Sequence, residues 1–247
     1  MSKHTGHKTE NSKKQKKSNL GLIILIIVLS LFVIGLLVYP AVSRALRPVG
    51  EITVPAEFNY PTDKVPAGEL AAGDPAAPVK LEVYADFQCP ACANYALEIE
   101  PLVLKNYVEN GKVYLIFRNY PFLDGNKGEM ESHRASEASV CAMDQDAFWK
   151  YHAILFANHT GENVGDYTEK RLIAFAEKLG LDTQQFQECL QSGKYTQRVL
   201  DEYELGKNAG VDSTPSFLID GVRFKLKASY NELFQALDNA VATRLQQ

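Results

Sequence analysis

Residues 20–39 (LGLIILIIVLSLFVIGLLVY) form a run of twenty residues without a single charge. A helix of about 20 residues spans the ~30 Å hydrocarbon core of a bilayer, so the run reads as a transmembrane anchor. Residues 1–19 hold six lysines against one acid and carry +5; since the whole chain is −4, residues 20–247 carry −9. Lysines ahead of an apolar span keep that side in the cytoplasm, which places everything after Pro40 outside. The rival is a cleaved signal peptide, for which Ala41-Val42-Ser43 offers a small-x-small site. A secretory apolar region runs to only ~7–15 residues behind a short basic segment, which favours the anchor. Either way the body is exported, and its acidic balance argues against nucleic acid as a partner.

Seven of the eleven prolines fall between Pro40 and Pro78, with Gly50, Gly68 and Gly73 among them. Apolar periodicity is weak there, so 40–76 reads mainly as a Pro-rich spacer, within which Glu51–Val54 and Glu57–Tyr60 could pack as extended segments. The folded domain is assigned to 77–247. Val79–Phe87 is a predicted strand, rich in β-branched and aromatic residues. Pro90–Asn110 is a predicted helix, with proline suited to its first position and Gly111 to its end. Pro101, inside it, predicts a kink. Lys112–Phe117 is a second strand. Helical periodicity then dominates an insertion of about 129–209, with segments near 131–158, 168–179, 183–191 and 195–208. Ser216–Ile219 and Val222–Leu226 read as strands joined at Asp220-Gly221, a strong hairpin signal. A closing helix runs from about Ser229 to Leu245.

Cys89-Pro90-Ala91-Cys92 falls where the first strand ends and the first helix of the domain begins. Two cysteines three apart at a helix start can close a disulfide. The first sulfur lies near unpaired N–H groups and the positive end of the helix dipole, which favours its thiolate, the attacking form. Cys89 is thereby the candidate nucleophile and Cys92, deeper along the helix, the residue that resolves a mixed disulfide. A structural zinc site would need four ligands at short spacing. Cys141 and Cys189 are 48 apart, and no companion pair is evident among His4, His7, His133, His152 and His159. No metal and no cofactor are therefore expected. Gly-x-Gly-x-x-Gly and Gly-x-Ser-x-Gly are absent, which removes support for dinucleotide binding and serine hydrolysis.

The residues Ala85-Asp86-Phe87-Gln88-Cys89-Pro90-Ala91-Cys92, then Phe148-Trp149 with His152, then Thr214-Pro215-Ser216-Phe217 carry a resemblance. Over roughly 77–245 the chain resembles DsbA-like members of the thioredoxin superfamily. The resemblance implies an α/β, thioredoxin-like fold with an inserted helical subdomain, and a cis Thr214–Pro215 bond beside the redox pair. It implies that the Thr214 backbone docks an extended substrate strand, and that Pro90 and Ala91 form the active-site loop. It also implies a membrane partner for reoxidation, a DsbB- or VKOR-like quinone reductase. Relatives commonly bury an acid six residues before the first cysteine. Here that position is Val83, Glu82 should face the opposite side of the strand, and the proton acceptor for Cys92 is left open.

All four cysteines lie in the exported part, where disulfides persist. Cys141 and Cys189 read as a structural disulfide between two helices of the insert, against two separate thiols or a relay with Cys89–Cys92. Phe148, Trp149, Tyr151 and Phe156 read as core packing rather than a substrate groove. The function expected is oxidation of cysteines in exported proteins by an enzyme anchored in the cell membrane. Its rivals are a reductase or isomerase of exported disulfides and, in a different class, a non-catalytic binding or assembly module on the same fold.

Overall fold

The computed structural model describes residues 12–45, 49–124 and 130–246; within its first helix it describes the side chains of 21–39 and Val42. The basic tail lies outside these residues for 1–11, as do the side chains of the lysines that follow it. The chain divides into two units, Met1–Gly50 and Glu51–Gln247. The first holds α1 (Ser12–Ala45). Gly21–Tyr39 within it has a mean hydropathy of 3.3 and none of it is buried by protein. An apolar helix exposed on every side suits lipid rather than water, and this one is long and apolar enough to cross a membrane.

The second unit is built on a five-stranded mixed sheet. Its strands are β1 (Ala71–Ala72), β2 (Val79–Ala85), β3 (Val113–Asn119), β4 (Ser216–Ile219) and β5 (Val222–Phe224), in the spatial order β1-β3-β2-β4-β5. β2 and β3 run parallel, with Val83 opposite Phe117, while β4 pairs antiparallel with β2 so that Phe217 faces Val83. Alternation along the central strands sends Leu81, Val83, Ala85, Leu115 and Phe117 into the main core, and Tyr84, Tyr114 and Ile116 into smaller clusters on the other face. Asp220 and Gly221 both take positive φ (52° and 78°), which is the geometry a two-residue hairpin turn demands. The expected mixed α/β thioredoxin-like sheet is therefore present.

Helices enclose the sheet: α2 (Pro90–Asn94), α3 (Glu100–Val103), α4 (Glu131–Met143), α5 (Phe148–Ala157), α6 (Glu169–Lys178), α7 (Thr183–Ser192), α8 (Thr196–Asn208) and α9 (Asn231–Arg244). Two details differ from the sequence reading. The helix predicted over Pro90–Asn110 accommodates Pro101, which has no N–H to give, by widening into π turns at Tyr95–Ile99 and Leu104–Val108. The stretch 131–158 is two helices, because Asp146 takes the left-handed conformation (φ 55°) and stops the first.

The boundary of the folded unit also needs correction. The spacer assigned to 40–76 ends early, since the unit begins at Glu51 and Leu70, Ala71 and Ala72 are fully buried. A two-residue strand is too short to leave a period in the sequence. Asn158 clamps the arm that precedes it, accepting from the Thr53 N–H (2.9 Å) and donating to the Thr53 carbonyl (2.7 Å). Tyr60 stacks on Trp149 at 4.1 Å between ring centroids, and Trp149 donates its indole N–H to the Ala71 carbonyl.

A disulfide joins Cys141 on α4 to Cys189 on α7, with Cα atoms 5.9 Å apart. Replacing both by alanine should cost ~2–4 kcal/mol of stability by opening the loop that the bond closes. Denaturant unfolding of the full chain in detergent measures this, and an unchanged midpoint would contradict a stabilising role.

Candidate active site

β2 ends at Ala85, and Asp86-Phe87-Gln88 turn the chain so that Cys89 caps the helical run beginning at Pro90. Cys89 has extended backbone (φ −85°, ψ 119°), and its sulfur accepts from the Cys92 N–H at 3.4 Å. As a donor, its thiol meets the Thr214 carbonyl at 3.3 Å. The Thr214–Pro215 bond is cis and leads into β4. Cys89, Cys92, Thr214 and Pro215 thus gather at the ends of two adjacent strands, with Pro90 and Ala91 bridging the cysteines.

The two thiols are chemically unequal. Cys89 keeps 7% of its surface exposed and Cys92 none. Hydrogen bonds from Cys92, Thr214 and the backbone of 91 and 92 bring the Cys89 thiol down to about 6, outweighing the opposing effect of burial. Burial and the neighbouring Cys89 sulfur push Cys92 well up. One sulfur is an exposed-edge thiolate near neutral pH, and the other is a buried thiol. This is the asymmetry that dithiol exchange uses.

A polar network that sequence reasoning did not assemble holds the loop still. Asp86, fully buried, accepts from the Gln88 N–H (2.8 Å), the Leu123 N–H (2.9 Å) and the Ser132 hydroxyl (2.7 Å). Desolvation nonetheless raises its carboxyl to about 6. Gln88 reaches Ser132 and Asn163, and Asp124 accepts from the N–H groups of Ser132 and His133 at the start of α4. The active-site turn is therefore tied to the helical insert. Asp86 and Gln88 sat inside the recognised motif, but their partners beyond the turn lie 36 to 75 residues away and left no local signal.

Tyr230, just before α9, is a second residue the sequence did not single out. Its hydroxyl donates to the Ala91 carbonyl at 3.4 Å, and its ring packs on Tyr95 and Phe217. Burial and the two cysteines push its phenol up to about 12, so it stays a neutral donor over the loop. Val83 is buried in the sheet, and Glu82 turns away to pair with Arg118 at 2.9 Å. His152 is buried among Phe87, Phe117, Phe148 and Phe156. Among the described residues no cluster of His, Cys, Asp and Glu could hold a metal ion.

Alkylation of Cys89 in the reduced full chain should accelerate between pH 5 and 7 with an inflection near 6. The depressed value means that thiolate is present above that pH and lost below it. An inflection near an ordinary thiol value of about 8.5 would contradict the hydrogen-bonded geometry.

Comparison with known proteins identifies the family. The sequence profile of a family described as Thioredoxin matches residues 66–239. A probable disulfide bond formation protein D of Bacillus cereus is 28% identical over 211 residues, covering 85% of this chain and 90% of that protein. The crystal structure of oxidised BdbD from Bacillus subtilis superposes with a TM-score of 0.63 at 24% identity, over 76% of this chain and 98% of that one. Oxidised DsbA of Mycobacterium tuberculosis superposes with a TM-score of 0.55 at 25% identity, over 71% of this chain and 99% of that one. The chain belongs to the thioredoxin family, as a DsbA-like thiol-disulfide oxidoreductase.

Proposed function

We propose that the protein oxidises cysteine pairs in exported proteins, with Cys89 and Cys92 as its redox couple. The observation that carries the direction is the Cys89 sulfur at the start of a helix, accepting from the Cys92 N–H, a placement that stabilises its thiolate. A group that lowers the free energy of the reduced pair, and does nothing comparable for the disulfide, makes the disulfide a stronger oxidant. In the reduced chain the Cys92 N–H donates to that sulfur at 3.4 Å. Relatives named for disulfide bond formation are consistent with this direction.

In this reading a substrate thiolate attacks the Cys89 sulfur of the Cys89–Cys92 disulfide, and Cys92 leaves with the electron pair. The substrate's second thiolate then attacks the substrate sulfur bonded to Cys89, forms the substrate disulfide and releases Cys89 as thiolate. Thr214 and Pro215 are the docking edge: their backbone flanks Cys89, and an extended peptide laid there would present its cysteine to the exposed side of the sulfur. Tyr230 holds the Ala91 carbonyl and so fixes the loop between the cysteines. Reoxidation passes the two electrons to a membrane quinone reductase of DsbB or VKOR type. There Cys89 forms a mixed disulfide with the partner and Cys92 resolves it. With α1 spanning the bilayer once and the lysine-rich tail in the cytoplasm, the domain works outside the membrane, within reach of emerging substrates and of that partner.

Cells expressing the full chain with Cys92→Ala should accumulate mixed disulfides between Cys89 and exported proteins, visible as thiol-sensitive high-mass bands. Cys89→Ala in the same background should show none. Absence of any such band from Cys92→Ala would contradict exchange through this pair.

A further inference from the structure

Residues 51–60, the arm ahead of β1, lie along the domain with no helix or strand of their own. They are held at a few points. Ile52 and Tyr60 pack half-buried against the main core, Asn158 clamps Thr53, and Glu57 pairs with Lys150 at 3.0 Å. Between these points Val54 and Phe58 stay exposed. A cavity of about 450 Å³ opens beside the arm, lined by Phe58, Tyr60, Trp149, Ala153 and Leu179 among others. A segment held by so few buried contacts opens at lower cost than the sheet beneath it.

Tyr60 is the innermost of these points. Its ring stacks on Trp149, and its hydroxyl donates to Oε1 of Glu100 at 2.7 Å. Glu100, at the start of α3, is 1% exposed. In the π turn before it, the Glu100 N–H bonds the Tyr95 carbonyl, five residues back, which rotates Glu100 inward by one residue, ~100°. Its Oε2 has no hydrogen-bond partner among the described residues, so nothing there supports a full negative charge. Burial raises its carboxyl to about 8, against the opposing pull of the Tyr60 hydrogen bond. The other titratable groups facing it are Tyr95 from the π turn and His152 from α5, whose Nε2 stands 3.9 Å from Oε1. Burial drives His152 down to about 3 and pushes Tyr60 and Tyr95 well up. Between pH 5 and 8, Glu100 alone of these four changes charge.

We propose that the arm is a pH-sensitive strap, fastened over Trp149 while the Glu100 carboxyl beneath Tyr60 is neutral and loosened as that carboxyl ionises. Lifting Tyr60 opens the carboxyl to water, where a glutamate titrates near its ordinary value of about 4.3. The charged form therefore favours the loosened state. The fastened state keeps its full advantage below about pH 4.3, loses it as the pH rises, and has lost it above about 8. Between those limits the fastening equilibrium falls by up to about tenfold per pH unit. Loosening frees the ten residues 51–60, so the chain ahead of the domain gains up to ~35 Å of free length. The sheet begins beyond the arm, at Ala71, and stays as it is. Acid thus holds the redox domain on a short tether, and alkali gives it a longer reach.

The test is hydrogen–deuterium exchange of the full chain in detergent, read by mass spectrometry from pH 5 to 9 on peptides that contain Thr53, whose amide is held by Asn158. Corrected for the intrinsic pH dependence of exchange, protection there measures the fastening equilibrium even where the loosened state is rare. In the unaltered chain it should fall by about tenfold or more between pH 5.5 and 7.5 and level off above about 8. Glu100→Gln keeps an acceptor for Tyr60 but cannot ionise, so its profile should be flat. Tyr60→Phe removes the hydrogen bond to Glu100, so the arm should lose protection at every pH. Peptides from β2 and β3 report whether each variant keeps its fold. A flat profile in the unaltered chain would overturn the proposal, whatever the variants do. A Glu100→Gln chain with β2 and β3 still protected, yet with the pH dependence of the unaltered chain, would also overturn it, as would undiminished protection in Tyr60→Phe.

Discussion

Everything in the site depends on the Cys89 sulfur lying at the start of a helix, where backbone N–H groups have no carbonyl to bond. The Cys92 N–H and the Thr214 carbonyl fix that sulfur from two elements distant in sequence. Parallel pairing of β2 with β3, and antiparallel pairing of β2 with β4, bring the ends of those elements together. Burial then separates the two cysteines into a thiolate with an open edge and a thiol with none. The same sheet geometry makes one sulfur available to a substrate and withholds the other.

Such a site must not drift, and the Asp86 network supplies the restraint. Three donors on one buried carboxylate lock the turn before Cys89 onto Leu123 and α4. On the far side Tyr230 bonds the loop from the start of α9. Removing one partner from such a buried network leaves the others unsatisfied, so its cost exceeds that of a single exposed hydrogen bond. The helical insert is in this sense a support for the redox loop as well as a covering for the sheet.

Much of this was legible in the chain. The charge-free run at 20–39, the Cys-Pro-Ala-Cys junction, the Thr-Pro before a strand and the Asp-Gly hairpin are local signals, each with a local physical cause. What escaped was long-range or too short to be periodic. β1 has two residues, and although the sequence allowed Glu51–Val54 and Glu57–Tyr60 to pack as extended segments, it did not name their partners, Asn158 for Thr53 and Trp149 for Tyr60. Pro101 announced a disturbance in the helix, but propensity does not say that π turns will absorb it. Those turns rotate Glu100 onto the buried face, and no sequence window links Glu100 to Tyr60, forty residues earlier. Val83 removed the acid expected in β2; Asp86 on the turn before Cys89 and Glu100 on α3 are buried acids elsewhere.

The central claim is that stabilising the Cys89 thiolate makes the pair an oxidant. The most direct measurement is the reduction potential of the full chain in detergent, equilibrated against glutathione buffers near neutral pH. The account predicts a value clearly less negative than the roughly −180 mV of protein disulfide isomerase. A value near the roughly −270 mV of thioredoxin would contradict it, because the reduced pair would then hold no special stability.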